Sequence, residues 1–176
     1  PGQAGAQRPE DQAIEMRLKI NADLRGDKHT IWEGGTRVPF MVSWPGKIEE
    51  GAVSEDMINL LDVFATVCDI TDGTLPEDRS IAPDSFSFLP ALLGEKNKNA
   101  RKSMVTADVN GVHAIRKDNW KYIENKTPDG KEAGSPRLFN LADDPAERKD
   151  MYREKSRIAE DLAQELERIR KADYTR

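Results

Sequence analysis

The sequence has one cysteine, Cys68, in 176 residues. Neither an intrachain disulfide nor a cysteine-built metal knuckle can therefore form. No apolar stretch approaches the ~20 residues that cross a bilayer. No run of Lys and Arg is dense enough for a nucleic-acid arm or a membrane patch. The formal net charge of −5 works against binding a phosphate backbone, which needs a basic face. Apolar residues are scarce at 37%, below the roughly 45–50% of an average globular chain, so the core is expected to be modest. The initiator methionine is missing too. The chain opens Pro1-Gly2-Gln3 with no visible leader, which suggests a piece cut from something longer and leaves the compartment undefined.

What is abundant is charge, at 34% of residues. A portion that normally packs against a larger partner has this composition, and so does a small domain with a solvated helix.

Residues 1–12 read as loop. Residues 13–20 alternate apolar and charged, at Ile14, Met16, Leu18 and Ile20, which is a strand period. The polar stretch Asn21 to Gly35 reads as a loop. Val38, Phe40, Val42 and Trp44 fall on one face at period two, predicting a strand that ends at Pro45-Gly46. Met57, Leu60, Leu61, Phe64, Val67 and Cys68 follow helical spacing, although Asp62 could cap a shorter helix starting at Val63. Cys68 on that apolar face reads as a buried small hydrophobe. Phe86 to Leu93 predicts a short helical turn closed by Gly94.

The character changes near Glu95 to Ala100, where Lys96-Asn97-Lys98-Asn99 reads as a solvated linker. The boundary implied is 1–95 for the first part and 96–176 for the second. Ser103 to Ala107, Val112 to Arg116, Trp120 to Ile123 and Arg137 to Leu141 are strand candidates, with Asn110-Gly111 as a hairpin signal. Asp144-Pro145-Ala146-Glu147 looks like a helix start. A last helix over about 154–171 carries a narrow stripe of Ile158, Leu162, Leu166 and Ile169 that would pack on the sheet.

The residues with chemical potential lie in 24–39, where Lys28, His29 and the pair Gly34-Gly35 share a loop before a strand. Strand edges are where α/β sheets keep their sites, although most such loops only connect. Gly26-Asp27-Lys28-His29-Thr30 is not a phosphate loop, because the upstream glycine and the Lys-Thr adjacency are missing. His113 lies out of phase with Val112 and Ala114 and reads as a surface residue. Glu33 and Arg37 read as an internal pair holding the glycine loop.

Leu24-Arg25-Gly26-Asp27-Lys28, Trp32-Glu33-Gly34-Gly35-Thr36-Arg37-Val38-Pro39 and Trp44-Pro45-Gly46 together resemble a segment of the formylglycine-dependent sulfatases. That segment follows the family's metal-binding Asp-Asn-Gly. The resemblance continues in order through Asp62 to Val67, Asp84 to Gly94, Ala114 to Ile123 and Arg137 to Glu147. Two positions depart from the family pattern: Ala65 stands for the usual Pro, and Ser85 for Gly.

The resemblance implies an α/β fold. This chain would be the end of an alkaline-phosphatase-like sulfatase domain followed by a small antiparallel sheet packed on a C-terminal helix. It implies that Lys28 is a catalytic-site residue contacting the sulfate group, where a fixed ammonium stabilises charge on the sulfate oxygens and the departing oxygen. His29 becomes a second substrate-binding candidate. The formylglycine nucleophile arises within Cys/Ser-x-Pro-Ser/Thr-x-Arg, which this chain lacks, so the chain alone is expected to be inactive. The family's calcium ligands are expected upstream, and no metal ligand is assigned here. The implied partners are a sulfated small molecule or carbohydrate and an N-terminal catalytic segment of the same protein, with neither nucleic acid nor membrane. Export or lysosomal residence is the family expectation. The alternatives are a non-catalytic domain of the same fold that binds an anion or a partner, and a related phosphate- or phosphonate-ester hydrolase.

Overall fold

The computed structural model describes residues 19–78, 80–97, 100–172 and 174–175. Its centre is a four-stranded antiparallel sheet in the order β1-β2-β3-β4. The strands are β1 (Ser103–Ala107), β2 (His113–Lys117), β3 (Trp120–Ile123) and β4 (Arg137–Asn140). All four expected strands are present within a residue or so of their expected ends. The β2–β3 connection is a two-residue turn with Lys117 paired to Trp120. Asp118 takes the positive φ of 52° that this turn requires.

The β1–β2 connection differs from the tight hairpin that Asn110-Gly111 suggested. Ala107 pairs with His113, leaving a longer loop. The Asp108 carboxylate organises it, accepting the N–H groups of Asn110 at 2.8 Å and Val112 at 3.0 Å. An Asp side chain that caps its own loop in this way replaces ladder bonds the loop cannot make.

Alternation along the strands divides the core in two. Ile115, Tyr122 and Leu138 face the long helix and meet its Ala159, Leu162, Leu166 and Ile169. That helix, Ser156–Ala172, carries the stripe expected of it, with Ile158 at the margin. On the opposite face Val112, Ala114, Ile123, Phe139 and Leu141 pack against Ile31. The 24–36 loop is therefore the second layer of the small sheet.

The remaining helices are α1 (Glu33–Thr36), α2 (Asp62–Ile70) and α3 (Leu89–Leu92); the long helix is α4. Helix α2 starts at the later of the two expected positions. Asp62 does not cap it from outside; its carboxylate accepts the Asn59 N–H at 2.7 Å and the Phe86 N–H at 2.9 Å, and pairs with the buried Arg101 at 2.5 Å. Ser85 adds bonds to Ala65 N and Leu61 O, and Thr66 Oγ1 accepts the Phe88 N–H. Helix α2 thus buries Asp62, Ala65 and Thr66 while Val63, Phe64, Val67 and Ile70 stay exposed. Cys68 is half-buried, not buried as expected.

Two further expectations fail. Residues 37–44 form no strand: Val38, Phe40, Met41 and Val42 are exposed. A strand needs a neighbour to satisfy its backbone groups, and no other segment of the described residues pairs with this one. Asp144 starts no helix either. Its carboxylate takes the N–H groups of Arg148 and Lys149, both at 2.7 Å, in a turn that places Glu147 at φ 54°. The expected strand at 13–20 lies almost wholly outside the described residues, as does half of the Lys96–Asn99 linker.

Leu138 is fully buried between β3 and α4. Leu138→Ala should cost about 2–5 kcal/mol, measured by denaturant unfolding. Tyr122 is driven up to about 12 by burial, with the Tyr152 and Glu124 charges adding to it. A folded-state value above the free tyrosine value of about 10 means the neutral form is favoured by folding. Its contribution to stability is full below pH ~10 and is lost as pH rises towards 12. An absorbance titration should show one of the tyrosines ionising late, and Tyr122→Phe should remove that phase.

Candidate functional site

Lys28 stands at the apex of a loop whose two ends are pinned. At its base Gly34 N donates to Arg25 O at 2.7 Å. A Cβ on Gly34 would lie 2.4 Å from Gly26 O, and one on Gly35 would lie 2.4 Å from both Asp27 O and Thr30 O. The glycine pair is thus required by close approach of the backbone. Nearer the apex, Thr30 Oγ1 donates to Asp27 O at 2.7 Å and accepts the Asp27 N–H at 3.2 Å. Gly26 and His29 take positive φ of 78° and 77°, a conformation uncommon outside glycine that histidine adopts more often than most residues. His29 O accepts the Val109 N–H at 3.3 Å, tying the apex to the β1–β2 loop.

The Lys28 side chain itself is exposed, and no carboxylate among the described residues pairs with it. A cation on a fixed backbone with no internal counter-ion suits an anionic ligand. The His29 side chain is exposed beside it.

The loop's other end is held more strongly. Trp32 stacks edge-on against Phe139 at 5.9 Å between ring centroids. The Arg25 guanidinium lies 3.5 Å over the Trp32 ring and donates to Glu147 O at 3.1 Å. Glu33 was expected to pair with Arg37. Its carboxylate instead accepts from Lys121 Nζ at 3.0 Å, while Arg37 is exposed and gives Glu33 only a backbone bond. Lys121 also lies 2.9 Å from Glu147 Oε1, an ion pair whose angles are not those of a hydrogen bond. Glu147 Oε2 accepts the Glu33 backbone N–H at 2.6 Å. All three side chains are buried. Burial pushes the Glu147 carboxyl above its ordinary range, against the pull of the Lys121 ammonium.

Sequence reasoning passed over Lys121 and Glu147 as functional supports. A signal existed: Lys121 is in phase with Ile123 on β3, so it points into a core face.

His113 lies on the other face of β2 from the one that meets Ile31. It shares a face of β2 with Ile115, towards α4. Its Nδ1 lies 2.8 Å from Glu124 Oε1, and Glu124 is also gripped by Arg170 at 2.8–2.9 Å. Among the described residues no group of three or more His, Cys, Asp and Glu side chains is placed to hold a metal ion. A calcium site would need ligands from outside them.

A hydrolase-type α/β architecture of the alkaline-phosphatase class, seen from its C-terminal end, is what this sheet, helix and docked loop define. The family model for the C-terminal portion of N-sulphoglucosamine sulphohydrolase matches residues 25–172. The chain is 33% identical over 173 residues to the N-acetylgalactosamine-6-O-sulfatase of Bacteroides thetaiotaomicron, over 92% of this chain and 33% of that protein. It is 30% identical over 174 residues to arylsulfatase G of Rattus norvegicus, over 84% of this chain and 33% of that one. A solved Bacteroides thetaiotaomicron structure, described with the metabolism of multiple glycosaminoglycans, superposes at a TM-score of 0.75 and 33% identity, over 91% of this chain and 35% of that chain. A sulfatase from Pseudoalteromonas sp. shares the fold at a TM-score of 0.65 and 24% identity, over 82% of this chain and 31% of that one. The chain belongs to the sulfatase family and corresponds to its C-terminal portion. It spans about a third of the length of the curated relatives it matches.

Gly35→Ala should spread the loop, because no shift of a side-chain tip relieves a 2.4 Å approach to two carbonyl oxygens. Hydrogen exchange at residues 26–30 should rise while α4 keeps its protection. Unchanged exchange there would contradict the packing described.

Proposed function

We propose that this chain is the C-terminal portion of a sulfatase that hydrolyses a sulfate ester to alcohol and sulfate, and that Lys28 contacts the sulfate. The observation that carries the reading is the exposed Lys28, without an ion-pair partner among the described residues, on a backbone held from both sides. An ammonium fixed in advance stabilises charge as it develops on sulfate and departing oxygens, without reorganising during the reaction. His29, next along the loop, is placed to meet the substrate or its leaving group. The name of the Bacteroides relative points to a sulfated carbohydrate as the substrate class.

The nucleophile and any calcium ligands belong to a preceding segment of the same protein. Support comes from helix α2, whose polar face is buried and whose apolar face is exposed. Val38, Phe40, Met41 and Val42 are exposed as well, and exposed apolar surface of this kind marks an interface. The division at 1–95 and 96–176 follows: the first part completes the large sulfatase domain and the second is its small appended sheet. No helix among the described residues is long and apolar enough to cross a membrane; export or lysosomal residence fits the family.

In the full-length protein Lys28→Ala should lower kcat/KM for a chromogenic aryl sulfate by about 10²–10³-fold, the usual loss for one transition-state donor. The chain alone should show no turnover and should self-associate through its apolar face. Turnover by the isolated chain that Lys28→Ala abolishes, or a full-length variant of undiminished activity, would refute the assignment.

A further inference from the structure

Lys121 has no part in the chemistry described above, yet it is among the most buried polar groups of the sheet. It projects from β3 between Glu33, which opens α1, and Glu147, which follows β4. Glu33 lies five positions after Lys28, immediately before the Gly34-Gly35 pair. Glu147 reaches the same loop twice more, through the Glu33 N–H and through the Arg25 guanidinium on its carbonyl oxygen. Both stems of the Lys28 loop thus converge on one cluster whose buried cation, among the described residues, is Lys121.

We propose that Lys121 is a positioning residue: by joining Glu33 to Glu147 inside the core it fixes the stems of the loop that presents Lys28 to its anion. The inference rests on the sulfatase reading of Lys28. Apolar packing by Ile31 and Trp32 holds the loop against the sheet, but apolar contacts are non-directional and tolerate sliding. The hydrogen bonds from Lys121 Nζ to Glu33 and from the Glu33 N–H to Glu147 Oε2 are charge-assisted and directional, and the Lys121–Glu147 ion pair adds attraction between them. The cluster therefore sets where along the sheet the loop sits. The distance between Lys121 and Lys28 in the sequence conceals the link, which only the docking of the loop reveals.

Lys121→Met alone would strand two carboxylates in the core and could unfold the protein. The informative variant is the triple change Lys121→Met, Glu33→Gln and Glu147→Gln in the full-length protein. It removes all three charges, and the Glu147→Gln change keeps an oxygen for the Glu33 N–H. The triple variant should fold, since replacing a buried ion cluster by neutral groups is often tolerated. Its amides at 26–36 should exchange at least tenfold faster, with β2 and α4 unchanged. Its kcat for an aryl sulfate should fall on the order of 10²-fold, as for a catalytic group displaced by about 1 Å, with a smaller change in KM. Native exchange at 26–36, native kcat with loosened exchange, or exchange raised evenly over sheet and helix would each overturn the proposal. The Lys28→Ala variant separates the two ideas. If it leaves kcat intact, the sulfate reading fails, while the exchange data still judge the clamp.

Discussion

A lysine ammonium enclosed by two carboxylates joins the loop of residues 24–36 to the sheet of residues 103–140. Desolvating three charges is costly, and their mutual attraction offsets that cost only when geometry and hydrogen bonds are good. Here the Glu33 N–H and the Arg25 guanidinium complete the arrangement. Much else follows from it. Trp32 can seat against Phe139 only if the chain turns at Glu33, and the turn needs glycines where the two stems cross. The backbone on both sides of Lys28 is then hydrogen-bonded, at Asp27 and at His29, while its side chain is exposed.

A second buried pair plays the same part elsewhere. Arg101 on the approach to β1 grips Asp62 at the start of α2 and the carbonyl oxygen of Asp84. The helix is thereby fixed through its polar side, and its apolar side is left outward. Removing one partner of such a pair strands the other, which typically costs about 3–5 kcal/mol. In both places ionic contacts set position, and apolar contacts add bulk stability.

The small sheet was legible because its strands are short, alternate cleanly and are separated by Asn-Gly, Asp-Asn and Pro-Asp-Gly turns, all local signals. The stripe of α4 was legible for the same reason. Residues 38–44 read as a strand on equally good alternation, yet they form none, since a strand is made by its neighbours and those are not among the described residues. Asp144-Pro145 resembled a helix start because a cap and an Asp-anchored turn use the same side-chain chemistry; the backbone at Glu147, at positive φ, decides between them. Lys28 and His29 are candidates by motif resemblance. Lys121 and Glu147 escaped because long-range pairing leaves no local trace beyond a lysine in phase with a buried isoleucine.

Held at its stems by the buried cluster and at its apex by the Val109–His29 bond, the loop leaves the Lys28 side chain exposed. The most direct test is the crystal structure of the full-length protein with inorganic sulfate in its active site. The account predicts Lys28 Nζ within about 2.7–2.9 Å of a sulfate oxygen, with the loop placed as it is here. A sulfate bound in the site with Lys28 turned away to solvent would contradict it.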